Sequence, residues 1–286
     1  MHVSVLARAR GLVAVLCALI ALGAVSASTA AAAEPPPPPG ANNPACRPTA
    51  LHPRPVILLH GTFENRSDNW QALSPELAAL GYCVWAFDYG ANQYTADTWY
   101  GLAHVASSAQ ELATDVQQVL STTGATQVDI VGHSQGGMMP RYYLGFLGGA
   151  PYVHTLVGLA PPNHGTTAGG IGTFAQAEGF AQPLSSGRCD SCADQLAGSP
   201  FMTQLNSIGD TIAGVSYTVI ETNKDEVVTP YTSAFLNGPG VTNITVQDQC
   251  ATDTSDHIAL ASDPVALHDV RNALDPASAT PVTCAG

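Results

Sequence analysis

The segment Val128-Asp129-Ile130-Val131-Gly132-His133-Ser134-Gln135-Gly136-Gly137 restricts the possible folds of this chain more than any other stretch. Residues 128–131 are a short apolar run that reads as a buried strand, and residues from about 136 to 147 read as a helix. Between them, Gly-x-Ser-x-Gly predicts a turn so tight that a side chain at 132 or 136 would clash. Such a turn lifts the Ser134 hydroxyl above the end of a sheet and aims the next helix N-terminus at it. A chance Gly/Ser turn is the bland alternative, but it requires neither the strand before nor the helix after.

The rest of the chain repeats the alternation. Strand-like runs fall at 56–59, 82–87, 153–159, 216–220 and 241–246. A helix over 74–80 is announced by Ser74-Pro75-Glu76, with Ser74 as the cap, and is stopped by Gly81. Val105, Leu112, Val116, Val119 and Leu120 recur at helical spacing before Gly124, and Asp263 caps a last helix over 264–274. Strands alternating with helices predict an α/β fold: a mainly parallel central sheet with helices on both faces. Ligands in such sheets sit beyond the carboxyl ends of the strands, so the polar residues after each strand are the place to seek chemistry.

The N-terminus is set aside first. Arg8 and Arg10 precede a fifteen-residue apolar run over 11–25, and small residues follow through Ala33. That order predicts a secretory signal peptide over 1–33, because the run is short of the about 20 residues a membrane span needs. Cys17 lacks the small neighbours of a lipid-attachment site. Residues 34–45, with five consecutive prolines, read as an extended linker, so the folded domain is expected over 46–286. Losing Arg8 and Arg10 takes the formal charge from −13 to about −15, which repels nucleic acid and anionic membranes. A lipid surface met by this protein should therefore be neutral.

Export leaves Cys46, Cys83, Cys189, Cys192, Cys250 and Cys284 in an oxidising compartment, which predicts three disulfides. Sequence does not fix their connectivity; joining near neighbours gives Cys46–Cys83, Cys189–Cys192 and Cys250–Cys284. The Cys189–Cys192 spacing also occurs in redox and metal motifs, but no second such pair is present.

A serine needs a base to become nucleophilic, and the base needs an orienting acid; in this fold they follow the serine in the order acid, then His. Downstream stand His154, His164, His257 and His268. His257 lies in a loop after the last strand, where the order requires it. His154 precedes a strand, His268 lies inside a helix, and His164 follows the serine turn too closely. Asp225 lies a few residues past the strand over 216–220, with Glu226 as the first rival and a solvated charged turn as the bland reading. The oxyanion formed on attack needs two backbone N–H donors. Gln135, just after the serine, supplies one; Thr62, in His60-Gly61-Thr62-Phe63, supplies the other, with its hydroxyl as an optional third. His60 reads as a structural loop residue. These steps call for neither metal nor organic cofactor.

With these residues in place the chain resembles secreted bacterial lipases of the α/β-hydrolase superfamily. The resemblance rests on His60-Gly61-Thr62, Gly132 to Gly137, Ala160-Pro161-Pro162-Asn163-His164-Gly165-Thr166, Asp225-Glu226-Val227-Val228-Thr229-Pro230 and Asp256-His257. It implies Ser134, Asp225 and His257 as a triad, Thr62 and Gln135 as oxyanion donors, and acylglycerols or related esters as substrate, met by a secreted monomer without a membrane anchor. Some such lipases carry a structural calcium near the histidine; Asp248, Asp253 and Asp256 are nearby here without completing a ligand set. Residues 165–208 occupy the position of a cap, either a hydrophobic lid or a packed insertion. The same scaffold also carries short-chain esterases, cutinases, polyester depolymerases, acyltransferases and serine peptidases, which pocket shape and substrate separate. A binding protein that kept the fold would be expected to lack one of the three residues.

Overall fold

The computed structural model describes residues 35–286 apart from 96–97 and 182–186. The expected signal peptide and Cys17 lie outside the described residues. Six strands form the sheet: β1 (Val56–Leu59), β2 (Val84–Phe87), β3 (Val128–His133), β4 (Val153–Leu159), β5 (Ser216–Glu221) and β6 (Val241–Thr245). Their order is β2-β1-β3-β4-β5-β6, and every pairing is parallel. The chain runs outward from β1 to β2, then returns to the other side of β1 as β3. Strand order reverses between β1 and β3, which opens a crevice at their carboxyl ends.

The helices are α1 (Arg66–Asn69), α2 (Leu73–Ala79), α3 (Val105–Thr123), α4 (Gln135–Phe146), α5 (Ala168–Ala177), α6 (Asp190–Asp194), α7 (Pro200–Asn206), α8 (Val246–Gln249) and α9 (Pro264–Leu274). Successive side chains in a strand point to opposite faces, so both faces of a parallel sheet must be covered. Ile57, Leu59 and Ile130 pack with Leu112, Val116, Met138 and Tyr143 of α3 and α4. Val56, Leu58 and Val131 pack on the other side with Leu73, Leu77, Val265 and Val270 of α2 and α9. A third apolar cluster lies outside the sheet and joins Phe63 and Val227 to Ile171, Phe174, Phe180 and the Cys189–Cys192 pair.

Three local details differ from the sequence reading. Ser74 does not cap α2: the cap position is Ala72, the Ser74 amide continues the turn to Trp70, and the Ser74 hydroxyl donates to the Pro39 carbonyl. The second strand starts at Val84, because the Tyr82 amide closes the turn after α2 by donating to Leu77. Folded contacts also begin ahead of Cys46. Pro35 is buried and accepts from the Arg66 guanidinium, and Asn42 exchanges side-chain hydrogen bonds with Ala86 of β2. The stretch expected as a linker thus lies along the sheet edge, where it covers unpaired backbone groups.

The three disulfides join Cys46 to Cys83, Cys189 to Cys192 and Cys250 to Cys284. Among the described residues no helix is long and apolar enough to cross a membrane.

Candidate active site

The turn after β3 has the strained geometry its glycines imply. Ser134 sits at φ 51° and ψ −123°, a conformation L residues rarely adopt, and caps α4. A Cβ on Gly132 would lie 1.9 Å from the Gly136 carbonyl oxygen, and one on Gly136 would lie 2.2 Å from that of Leu59. The Ser134 amide donates to Leu159 of β4, which anchors the turn to the sheet. Strain of this kind persists only where the surroundings over-determine it.

Asp225 and His257 come together across 32 residues of chain. Asp225 Oδ2 lies 2.7 Å from His257 Nδ1, with both side chains fully buried. Asp225 Oδ1 accepts from the Val227 and Val228 amides. Burial opposes charge on this carboxyl, but His257 and those hydrogen bonds outweigh it and hold Asp225 below the usual carboxylate range. His257 Nε2 is buried and has no hydrogen-bond partner among the described residues. Glu226, the rival acid, is exposed. The other histidines are engaged elsewhere: His154 with Thr155, His164 with Ser233 and Asp210, and His268 with Thr280.

The His257 loop meets the serine turn through His133. Its Nε2 lies 2.9 Å from the His257 carbonyl oxygen, and the two rings are 5.0 Å apart. His133 Nδ1 lies 2.9 Å from Glu64 Oε2, which also accepts from the Gly61 amide at 2.6 Å. Neither Glu64 nor His133 stood out in the sequence as more than a motif position; the available signal was an acid three residues after His60-Gly61.

On the oxyanion side, the Thr62 hydroxyl donates to Gln135 Oε1 at 2.6 Å, and Gln195 Nε2 donates to both residues. This corrects one detail: the Thr62 hydroxyl is committed to Gln135, so it is not a third oxyanion donor in this arrangement. His60 is buried against Tyr89, its Nδ1 2.7 Å from the Gly61 carbonyl, and burial lowers its pKa, as suits a neutral structural ring.

Over residues 53–268 the sequence matches the family described as Lipase (class 2). The chain belongs to the class 2 lipase family. It is 37% identical over 93 residues to a triacylglycerol lipase of Pseudarthrobacter phenanthrenivorans, covering 31% of this chain and 27% of that one. A triacylglycerol lipase of Burkholderia plantarii is 37% identical over 93 residues, covering 31% of this chain and 24% of its own. The match thus spans about a quarter of the length of these relatives. Among solved structures, Aspergillus fumigatus lipase B superposes with TM-score 0.62 at 18% identity, over 88% of this chain and 65% of that one. Mature Bacillus licheniformis lipase BlEst2 gives 0.59 at 17% identity, over 80% and 94%. At such identities these likenesses speak for the shared α/β-hydrolase fold.

In this class 2 lipase the described parts of 165–208 pack against the loops that carry Phe63, Val227 and His257. Phe174 of α5 stands edge-on to the His257 ring, 5.0 Å between centroids, and packs against Phe63; Phe180 in turn packs against Phe63 and Trp99. Ser134 is only 2% exposed. Asp253 and Asp256 each cap a local turn, accepting from Ser255 and Ala259. Among the described residues no three His, Cys, Asp or Glu side chains converge as metal ligands.

Proposed function

We propose that this class 2 lipase is a secreted serine carboxylic-ester hydrolase that cleaves acylglycerols through an acyl-enzyme. The observation that carries the reading is the buried 2.7 Å contact between Asp225 and His257 Nδ1, with Nε2 left unpaired and the His257 carbonyl 2.9 Å from Nε2 of His133, the residue before Ser134. Asp225 fixes the imidazole tautomer, so the lone pair of Nε2 is available to take the Ser134 proton. Ser134 attacks the ester carbonyl, and the Thr62 and Gln135 amides receive the oxyanion at the α4 N-terminus. His257 returns the proton to the departing alcohol. Water repeats the sequence on the acyl-enzyme, with His257 again as base and then acid.

Three disulfides and the order of basic, apolar and small residues over 1–33 support export. The aromatic cluster over His257 supports reading 165–208 as a lid that must move before a long acyl chain reaches Ser134. A charge of about −15 after export favours a neutral lipid–water interface over an anionic one.

The test is hydrolysis of p-nitrophenyl esters from acetate to palmitate by the secreted protein and by Ser134→Ala. Activity lost in the variant and strongest on long chains supports the proposal. A preference for acetate would point to an esterase, and equal rates in both proteins would remove Ser134 from the chemistry.

A further inference from the structure

Glu64 and His133 are an ion pair in a place where an ion pair is costly. Glu64 is 7% exposed and His133 is fully buried. Taking two charges out of water costs several kcal/mol each, and apolar residues of similar size often serve stability as well or better. What this pair does that apolar residues cannot is bridge three separate parts of the chain. Glu64 lies just past the β1 loop, His133 ends β3, and their hydrogen bonds end on the Gly61 amide and the His257 carbonyl. Asn69 adds a third bond, donating to Glu64 Oε1 at 3.2 Å.

The proton count gives the pair its meaning. Glu64 Oε2 accepts from the Gly61 amide and lies 2.9 Å from His133 Nδ1, which the Asn69 amide nitrogen also approaches at 3.2 Å, while His133 Nε2 faces the His257 carbonyl, which can only accept. His133 Nε2 must therefore carry a proton, and a second proton on Nδ1, turned to the Glu64 carboxylate, makes the ring an imidazolium. Burial pulls the ring toward neutrality, but the Glu64 carboxylate overcomes it and raises the His133 pKa, while His133 in turn lowers that of Glu64 despite its burial.

We propose that Glu64 and His133 are positioning residues that hold the His257 main chain and the Gly61 turn in register with Ser134, and thereby set the rate of ester hydrolysis. The proposal rests on the hydrolase reading above. Both act through the main chain that carries Thr62 and His257, not on the reacting atoms. Glu64→Gln tests the proton count with almost no change of shape. An amide oxygen at the Oε2 position still accepts from Gly61, but it no longer holds a charge on His133. A neutral ring has one N–H for two acceptors, so a lone pair on Nδ1 or Nε2 must then face either the substituted amide oxygen or the His257 carbonyl.

Steady-state kinetics on a soluble butyrate ester, per site titrated by burst, compares wild type, Glu64→Gln, His133→Phe and the double variant. Both single variants lose about 10²-fold in kcat with little change in KM, the size expected of a displaced catalytic group. The double variant strands no buried charge, so it melts higher than His133→Phe yet stays as slow. Activity that instead returns with melting temperature would make the pair a structural element and overturn the proposal. So would kcat within about twofold of wild type in both single variants.

One readout needs no turnover: the low-field NMR resonance of the His257 Nδ1 proton, identified by its loss in Asp225→Asn. It shifts or broadens in Glu64→Gln if the pair holds His257, and an unchanged resonance refutes that. If wild type and Ser134→Ala hydrolyse esters equally, the hydrolase reading fails by itself, and this resonance still decides the pair.

Discussion

Ser134, Asp225 and His257 differ in how much of their role single substitutions can isolate. Asp225→Asn keeps the shape but offers His257 Nδ1 an amide, which favours the wrong tautomer. A loss on the order of 10⁴ in kcat is expected with KM little altered, read by steady-state kinetics. Gly132→Ala acts through space alone: its Cβ would need to lie 1.9 Å from the Gly136 carbonyl, so the turn must open. Loss of activity with soluble, folded protein by circular dichroism is the expected result. The Glu64–His133 pair adds a pH signature. Glu64 is lowered from 4.5, so its stabilisation is present above 4.5 and is lost as pH falls through the depressed value. His133 is raised from 6.5, so its stabilisation is present below 6.5 and is lost as pH rises through the raised value. The melting-temperature gap between wild type and the Glu64→Gln/His133→Phe double variant should therefore be widest between pH 4.5 and 6.5. A gap that widens steadily above that window would contradict the pairing.

Elements were legible in the sequence wherever burial imposed a single pattern. The strands follow from apolar runs, most plainly β1 and β3, which are buried on both faces; α3 follows from its helical spacing and α9 from its cap at Asp263. Leu112 of α3 is fully buried against the sheet, and Leu112→Ala should cost about 2–5 kcal/mol in denaturant unfolding. Short-range chemistry misled the reading at α2, where Ser74-Pro75-Glu76 looks like a cap. Ser74 instead bonds Pro39, a partner 35 residues away that local sequence does not announce. The triad candidates were readable because chain order constrains them. Glu64, His133 and Gln195 were not, because their roles are contacts over 60 to 133 residues of separation. The cap makes its own prediction. Phe174→Ala removes the ring beside His257, so hydrolysis of soluble esters should rise relative to emulsified ones. An unchanged ratio would mark 165–208 as a fixed insertion.

For the chain as one object, stability rests on a two-faced core and on three cross-links of unequal reach. The Cys46–Cys83 and Cys250–Cys284 bridges span 37 and 34 residues, whereas Cys189–Cys192 spans 3. Loop-closure entropy assigns about 4 kcal/mol to each long bridge and about 1.5 kcal/mol to the short one. Replacing each pair by alanines and comparing urea midpoints should reproduce that ranking. The first bridge ties the 35–46 stretch to the strand-edge residues near β2, so its loss should also free that segment to proteolysis. The crossing from β2 back to β3 brings together the loops after β1 and β3, which the sequence keeps apart, and Gly61 and Ser134 meet there. The central claim is that Ser134 is the nucleophile served by His257 and Asp225. It is tested most directly by treating the purified protein with a fluorophosphonate and mapping the adduct by peptide mass spectrometry. The account predicts one adduct, on Ser134, absent in Ser134→Ala and formed far more slowly in His257→Ala; no adduct, or one on another residue, would contradict it.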